Sequence, residues 1–268
     1  DSRPPRERTV CTLCTHGELD SPAFRGWIER LGERWTPHRK LWELAYICET
    51  LEQRGLLHPG SRGLGFAVGL ERLPSFFASR GCEIVATDLP SDDDRNRRWA
   101  ASGQWAEGLS SLNRFGLCPN DAFRKLVSLR PVDMNHIPDD LRDFDFTWST
   151  CSFEHCGTLE LGLRFLERQM ACLKPGGIAV HTTEFNLSSN DRTRTRGTYV
   201  IYRLRDIEAI CRRLQAAGHS VEPLDVDPGD HELDRHIDRK PYTGDAHLRL
   251  EMRGYAATSI GLIIRRAG

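Results

Sequence analysis

The sequence predicts an α/β domain: a seven-stranded, mostly parallel sheet with helices on both faces, an N-terminal helical arm, and an insertion before the last strand. Three observations predict it. From residue 60 onward, short apolar strand-like runs alternate with helix-like segments, the pattern of βαβ units. Gly65-Phe66-Ala67-Val68-Gly69 sets glycines at a strand-to-helix turn. Lys174-Pro175-Gly176-Gly177 stops a helix ahead of an apolar run over 178–183.

Composition narrows the function classes. The 268 residues hold 37 Lys+Arg against 38 Asp+Glu, a formal charge of −1. That balance leaves no global electrostatic footprint for nucleic acid or an anionic membrane, so nucleic acid is not the expected partner. No run approaches the roughly 18 apolar residues of a membrane span, so none is expected. Nine scattered cysteines and the lack of an apolar targeting stretch lead to the expectation of reduced thiols and a cytoplasmic location. Cys11 and Cys14 form a CxxC pair, but a zinc site needs a second pair at ligand spacing, and His16 and His38 match that spacing poorly.

Each element follows in order. Residues 1–10 are charged and Pro-containing and predict a poorly ordered arm. Ser21-Pro22 is an N-cap followed by Pro at the first helical position, opening a helix to about Leu31. Thr36-Pro37 repeats that signal, and Leu41, Leu44, Ile47, Cys48 and Leu51 recur at helical spacing up to Gly55. The expected division is 1–56 as N-terminal arm and helices and 57–268 as the main domain. Strand 63–66 runs into glycines, helix 73–79 and strand 82–87 follow, and a polar helix start lies near 91–98. The third strand ends at Val132, and 144–149 is the fourth. Helix 159–173 is amphipathic, 178–183 is the fifth strand, and helix 204–217 stops at Gly218. Strands 220–226 and 258–265 close the sheet around the insertion, 227–250.

Glycines at the 65–69 turn let backbone approach a ligand at a helix N-terminus, where anionic groups are favoured. Asp88, 19 residues beyond Gly69, ends the second strand, where an acid accepts both hydroxyls of an adenosine ribose. Asp133 offers an acceptor for an adenine amino group and Met134 an apolar surface for its face, although core packing accounts for Met134 equally well. All these positions fall on the carboxyl edge of the sheet, where open α/β folds bind ligands.

These residues resemble the class I S-adenosylmethionine-dependent methyltransferases, whose fold is Rossmann-like. The similar elements are the 65–69 turn, Ala86-Thr87-Asp88, strand 144–149, and Leu173-Lys174-Pro175-Gly176-Gly177 before the fifth strand, together covering roughly 60–265 in the family's order. The resemblance implies S-adenosylmethionine as cofactor, held by Gly65, Ala67, Gly69, Asp88, Asp133 and Met134. Two positions depart: Gly63 stands where family members usually carry an acid, and Ala67 where they carry glycine. A different hold on the methionine end of the cofactor follows. A nicotinamide dehydrogenase is the competitor, but its GxGxxG spacing requires glycine at Val68.

Glu154-His155 lies just past the fourth strand, and Glu184 ends the fifth. A similar Glu-His step occurs in quinone-precursor O-methyltransferases and in small-RNA 2′-O-methyltransferases, the latter with a further Glu where this chain has Cys151. The insertion carries His231, His236, Tyr242 and His247 and is expected to cap the active site. His155 and His236 are the expected catalytic residues. Glu154, His155, Glu184 and His231 are the expected metal ligands, with Mg²⁺ favoured where carboxylates dominate. His181, out of phase with Glu184, is expected to be packed. Trp105, Trp148, Phe153, Phe185, Tyr199, Tyr202 and Tyr242 are candidates for an aromatic mouth, with Trp148 and Phe185 better read as core.

The chain is also similar to bacterial sugar and polysaccharide O-methyltransferases, among them the mycobacterial methylmannose polysaccharide type. The Glu-His step, His181-Thr182-Thr183-Glu184-Phe185-Asn186 and the His-rich insertion carry that likeness. It implies methyl transfer to a sugar or oligosaccharide hydroxyl by a histidine base. RNA 2′-O-methylation, natural-product O-methylation and non-catalytic cofactor binding are the alternatives. The oligomeric state is open, a homodimer included.

Overall fold

The computed structural model describes residues 8–101 and 104–268. In chain order the elements are β1 (Cys11–Leu13), α1 (His16–Leu19), α2 (Pro22–Arg30), α3 (Arg39–Gln53), β2 (Arg62–Gly65), α4 (Leu73–Ser79), β3 (Glu83–Asp88) and α5 (Asn96–Ala101). Next come α6 (Asn120–Leu126), β4 (Val127–Pro131), β5 (Phe144–Thr150), α7 (Leu159–Arg168), β6 (Leu173–Asn186) and α8 (Leu204–Ala216). The last are β7 (Ser220–Val221), β8 (Leu224–Asp225), α9 (Glu232–Arg235), β9 (Leu250–Met252) and β10 (Tyr255–Arg265). Among the described residues no helix is long and apolar enough to cross a membrane.

One sheet holds every strand, in the order β4-β3-β2-β5-β6-β10-β1-β8, with β7 and β9 also paired to β10. The run from β4 to β6 is parallel, and β10 returns antiparallel along β6. The chain winds outward from β2 to β4, then crosses back to β5 on the other side of β2. This switch point opens a crevice at the carboxyl ends of β2 and β5.

Glycine choice in β2 follows from its neighbour. A Cβ on Gly63 would lie 2.4 Å from the Phe146 ring, and one on Gly65 2.4 Å from Trp148. The aromatic residues of β5 therefore cover β2 directly. On one face α3 crosses β5, β6 and β10, and Tyr46 fills the space over Gly261. On the other face Phe165 of α7 meets Phe66 at 5.0 Å and His181 at 5.5 Å between ring centroids. His181 is a packed histidine: it is fully buried, shares a 2.8 Å hydrogen bond with Ser149 Oγ, and burial pushes it down to about 3.

The α/β class and the mostly parallel sheet are as the sequence predicts; several details differ. Strand β1 was not expected, because three residues carry no readable periodicity. It pairs with β10 and β8, so the N-terminal segment is hydrogen-bonded into the same sheet as the rest of the chain. Of the expected arm, residues 1–7 lie outside the described residues, while Thr9 is buried and donates its N–H to Gln53 Oε1. The expected strand 220–226 splits at Pro223, which has no N–H to give a ladder. β7 pairs with β10, and the Pro223 carbonyl turns to Cys11 N–H. Cys11 and Cys14 are buried thiols, each pushed up by burial, and Cys11 Sγ accepts from Ile263 N–H. Helix α7 ends at Arg168 rather than Leu173, which already pairs with Phe144, so Lys174–Gly177 forms an irregularity inside the ladder. The cap of α3 is His38, not Thr36: its Nδ1 accepts from Lys40 N–H at 3.1 Å.

Candidate active site

At the switch point a cavity of about 920 Å³ opens, within the range of small-molecule and cofactor sites. The loop after β2 forms its floor. Ala67 takes φ +48° and Gly69 φ +53°, so the turn needs left-handed backbone even where the residue is alanine. A Cβ on Gly69 would meet the Gln104 carbonyl at 2.4 Å.

Asp88 ties this loop to its neighbours. Its Oδ2 accepts from the N–H groups of Gly69 (3.2 Å) and Ala106 (3.3 Å), and its Oδ1 from Leu89 N–H (2.9 Å). Burial raises its carboxyl, partly offset by those hydrogen bonds. A carboxylate offers about four acceptor sites, and three are taken. That leaves room for one further donor in this arrangement, against the two ribose hydroxyls expected. Asp133 lies beyond β4 and holds Arg95 Nη2 at 2.8 Å and Asn135 N–H at 3.0 Å. Burial opposes its ionisation, but the hydrogen bonds from Arg95, Asn135 and His136 together hold the carboxyl below its ordinary value. Ala67, Gly69, Asp88, Asp133 and Met134 all line the cavity; Gly65 lies beneath it, committed to Trp148.

The other end of the cavity is a buried charge cluster supplied by α3, β5 and β6. Arg39 Nη2 lies 2.6 Å from Glu184 Oε1, and Nη1 reaches Glu43 Oε1 at 3.2 Å and Ser259 Oγ at 2.9 Å. Lys40 Nζ pairs with Glu43 Oε2 at 2.7 Å. Burial pushes Glu43 up, but Lys40 and Arg39 more than reverse this and hold it at about 2. Glu154 Oε2 accepts from the neutral Thr183 Oγ1 at 3.0 Å, and burial raises the carboxyl to about 7. Two carboxylate oxygens here, Glu154 Oε1 and Glu184 Oε2, are buried without a hydrogen-bond partner.

His155 borders this end. Its Nδ1 lies 2.6 Å from the Thr198 carbonyl, an acceptor, so Nδ1 carries the proton and Nε2 is the basic atom. Nε2 stands 3.8 Å from Glu154 Oε1, and the ring sits edge-on to Trp99 with centroids 4.5 Å apart.

Glu154, His155 and Glu184 are thus brought together, but the remaining expected histidines are not. His231 is exposed and stacks on His16 at 3.8 Å; His236 is exposed at the end of α9. Neither lines the cavity, nor does any residue of 227–250. The insertion is spent on the N-terminal segment, where His247 stacks on His38 at 4.7 Å and pairs with Asp238. Gly197 and Thr198, from the segment between β6 and α8, border the site in its place. None of the seven aromatic candidates lines the cavity, whereas Trp99 of α5 does. Arg39, Lys40 and Glu71 are the principal residues the sequence reading missed.

No protein-family model matches the sequence, and no curated protein matches it. Solved structures do. A protein of Galdieria sulphuraria named as a sarcosine dimethylglycine methyltransferase superposes with a TM-score of 0.52 at 12% identity, over 83% of each chain. The magnesium protoporphyrin IX methyltransferase of Synechocystis PCC 6803, with bound S-adenosylmethionine, superposes with a TM-score of 0.50 at 12% identity over 93% of each chain. The fold is that of the class I methyltransferases.

S-Adenosylmethionine fits the cavity: its volume suffices, and the left-handed 67–69 turn, Asp88 and Asp133 all line it. Mg²⁺ does not fit the cluster. Cys151, Glu154 and Glu184 offer atoms within 4.8 Å of one another, but one is a soft thiol, and Mg²⁺ takes oxygen ligands. Burial and Glu43 push that thiol well up, and it donates to Glu43 Oε1 at 3.0 Å. The Arg39 guanidinium already supplies the cation, lying 3.5 Å from Cys151 Sγ as well as on Glu184.

Proposed function

We propose that this chain is an S-adenosylmethionine-dependent O-methyltransferase acting on a hydroxyl of a sugar or oligosaccharide. The observation that carries the acceptor class is the pair of buried, unpartnered oxygens, Glu154 Oε1 and Glu184 Oε2. Leaving such acceptors unmade costs about 1–3 kcal/mol each, so a bound molecule with adjacent O–H donors satisfies both. When bound, the cofactor supplies an electrophilic methyl on sulfur.

The protein's own part is positioning and proton removal. His155 is the base: the Thr198 carbonyl fixes its tautomer, and Nε2 takes the proton from an acceptor hydroxyl. Glu154 and Glu184 orient the hydroxyls beside it, and Arg39 and Lys40 hold the cluster near neutrality without a metal ion. His236 has no part in this scheme. Nine free cysteines suit a reducing compartment, consistent with a cytoplasmic enzyme.

The test is transfer of labelled methyl from S-adenosylmethionine to a panel of mono- and oligosaccharides. Transfer to a glycan, with His155→Ala slower by roughly 10²-fold or more, is expected. Salt-sensitive transfer to RNA 2′-hydroxyls with none to glycans overturns the acceptor class. Cofactor binding without transfer to any acceptor overturns catalysis.

A further inference from the structure

Glu71 has no role in the scheme above and Lys40 serves there only to balance charge, yet both line the cavity and meet across one residue of β5. Glu71 Oε1 accepts from Trp148 Nε1 at 2.6 Å, and Oε2 accepts from Thr150 Oγ1. Lys40 Nζ lies 3.4 Å from the Thr150 carbonyl and 2.7 Å from Glu43. Each carboxylate oxygen of Glu71 keeps a second acceptor site, and an ammonium has three donors, of which Lys40 uses two. One acid and one cation thus flank Thr150 with unused capacity. Strand β2 supplies no acid of its own, since Phe146 fills the space a side chain at Gly63 would need.

A carboxylate beside an ammonium complements an α-amino acid zwitterion. We propose that Glu71 and Lys40 grip the amino-acid end of the cofactor, Glu71 its ammonium and Lys40 its carboxylate. The inference rests on the methyltransferase reading. It divides the cofactor along the cavity: Asp88 and Asp133 take the nucleoside, and Glu71 and Lys40 the methionine portion, beside the cluster of Glu154 and Glu184 that faces the acceptor. Glu43 stands behind Lys40 and holds its ammonium in place through Oε2, while Arg39 takes the other oxygen of Glu43.

Two nucleosides separate the contributions: S-adenosylhomocysteine carries the amino-acid end, and 5′-methylthioadenosine lacks it. Titration calorimetry on the full chain is expected to show tighter binding of S-adenosylhomocysteine. Glu71→Gln and Lys40→Met each weaken it by roughly tenfold to a hundredfold, as for a lost charge-assisted hydrogen bond. Binding of 5′-methylthioadenosine stays within about twofold, which also reports that each variant is folded. Lys40→Met, at an exposed position, gives the same readout where Glu71→Gln does not fold. Equal loss for both nucleosides, or unchanged S-adenosylhomocysteine binding, overturns the clamp and leaves the methyltransferase reading intact. A wild-type chain that binds neither nucleoside overturns both.

Discussion

The Arg39 guanidinium lies 2.6 Å from Glu184, joining the first turn of α3 to the far end of β6. Both side chains are buried, so this ion pair stands where solvent cannot replace either partner. Removing one member of such a pair leaves the other charge uncompensated, at a cost of about 3–5 kcal/mol. Arg39→Met is expected to lose stability of that order in urea unfolding at pH 7. Because Arg39 holds the cation position, chelation with EDTA is expected to leave methyl transfer within about twofold, and added Mg²⁺ to leave it unchanged. A tenfold loss on chelation, restored by a divalent ion, contradicts this assignment.

Glu154 gives a stability signature with a definite sign. Its carboxyl rises from 4.5 to about 7, chiefly through burial. The folded state therefore holds the proton more tightly than the unfolded chain. This contribution is fully present below about pH 4.5 and is lost as pH rises through about 7. Glu154→Gln keeps a neutral side chain at every pH. It is expected to be more stable than the wild type at pH 8, by on the order of 3 kcal/mol, and nearly equal at pH 5. Denaturant midpoints at the two pH values check this; an equal difference at both pH values would falsify it.

Much of the fold was legible because several strands between β2 and β6 carry punctuation, such as Gly65 at the end of β2 or Lys174-Pro175-Gly176-Gly177 ahead of the apolar run of β6. The residues that border the cavity on this edge were legible for the same reason: Asp88 ends β3, and Gly69 and Asp133 lie in the loops just past β2 and β4. The charge cluster was not. Arg39, Lys40 and Glu43 lie on a helix whose pattern reads as an ordinary amphipathic face, and only the crossing of α3 over β6 brings them to Glu184. Glu71 falls in a loop with no periodicity. The histidine-rich insertion misled because composition cannot say which surface a loop covers, and this one stacks on His16 and His38.

The turn after β2 separates conformational need from packing need. Ala67 occupies left-handed backbone, which costs a non-glycine residue about 1–2 kcal/mol, while glycine adds roughly 0.5–1 kcal/mol of chain entropy on folding. Ala67→Gly is therefore expected to stabilise the chain slightly, by up to about 1 kcal/mol, and to keep S-adenosylhomocysteine binding. Gly69→Ala meets both the strained φ and the Gln104 carbonyl at 2.4 Å. It is expected to lose about 1–3 kcal/mol and most of its nucleoside affinity. Thermal unfolding and calorimetry on the two variants measure the contrast, and a Gly69→Ala chain with wild-type affinity removes this turn from the cofactor site.

His38 makes the N-terminal helix acid-sensitive. Its Nδ1 caps α3 by accepting from Lys40 N–H, which requires a neutral ring. Burial, then the stacked His247, lower it from 6.5 to about 4. The unfolded chain thus binds the proton more readily. The stability this group contributes is present above about pH 6.5 and is lost as pH falls toward 4. Asparagine is a good cap that does not titrate. His38→Asn is expected to match the wild type within about 1 kcal/mol at pH 7 and to exceed it by roughly 1–2 kcal/mol at pH 4.5. The measurement is urea unfolding across that range, and parallel pH profiles for the two chains refute the cap as the acid-sensitive element.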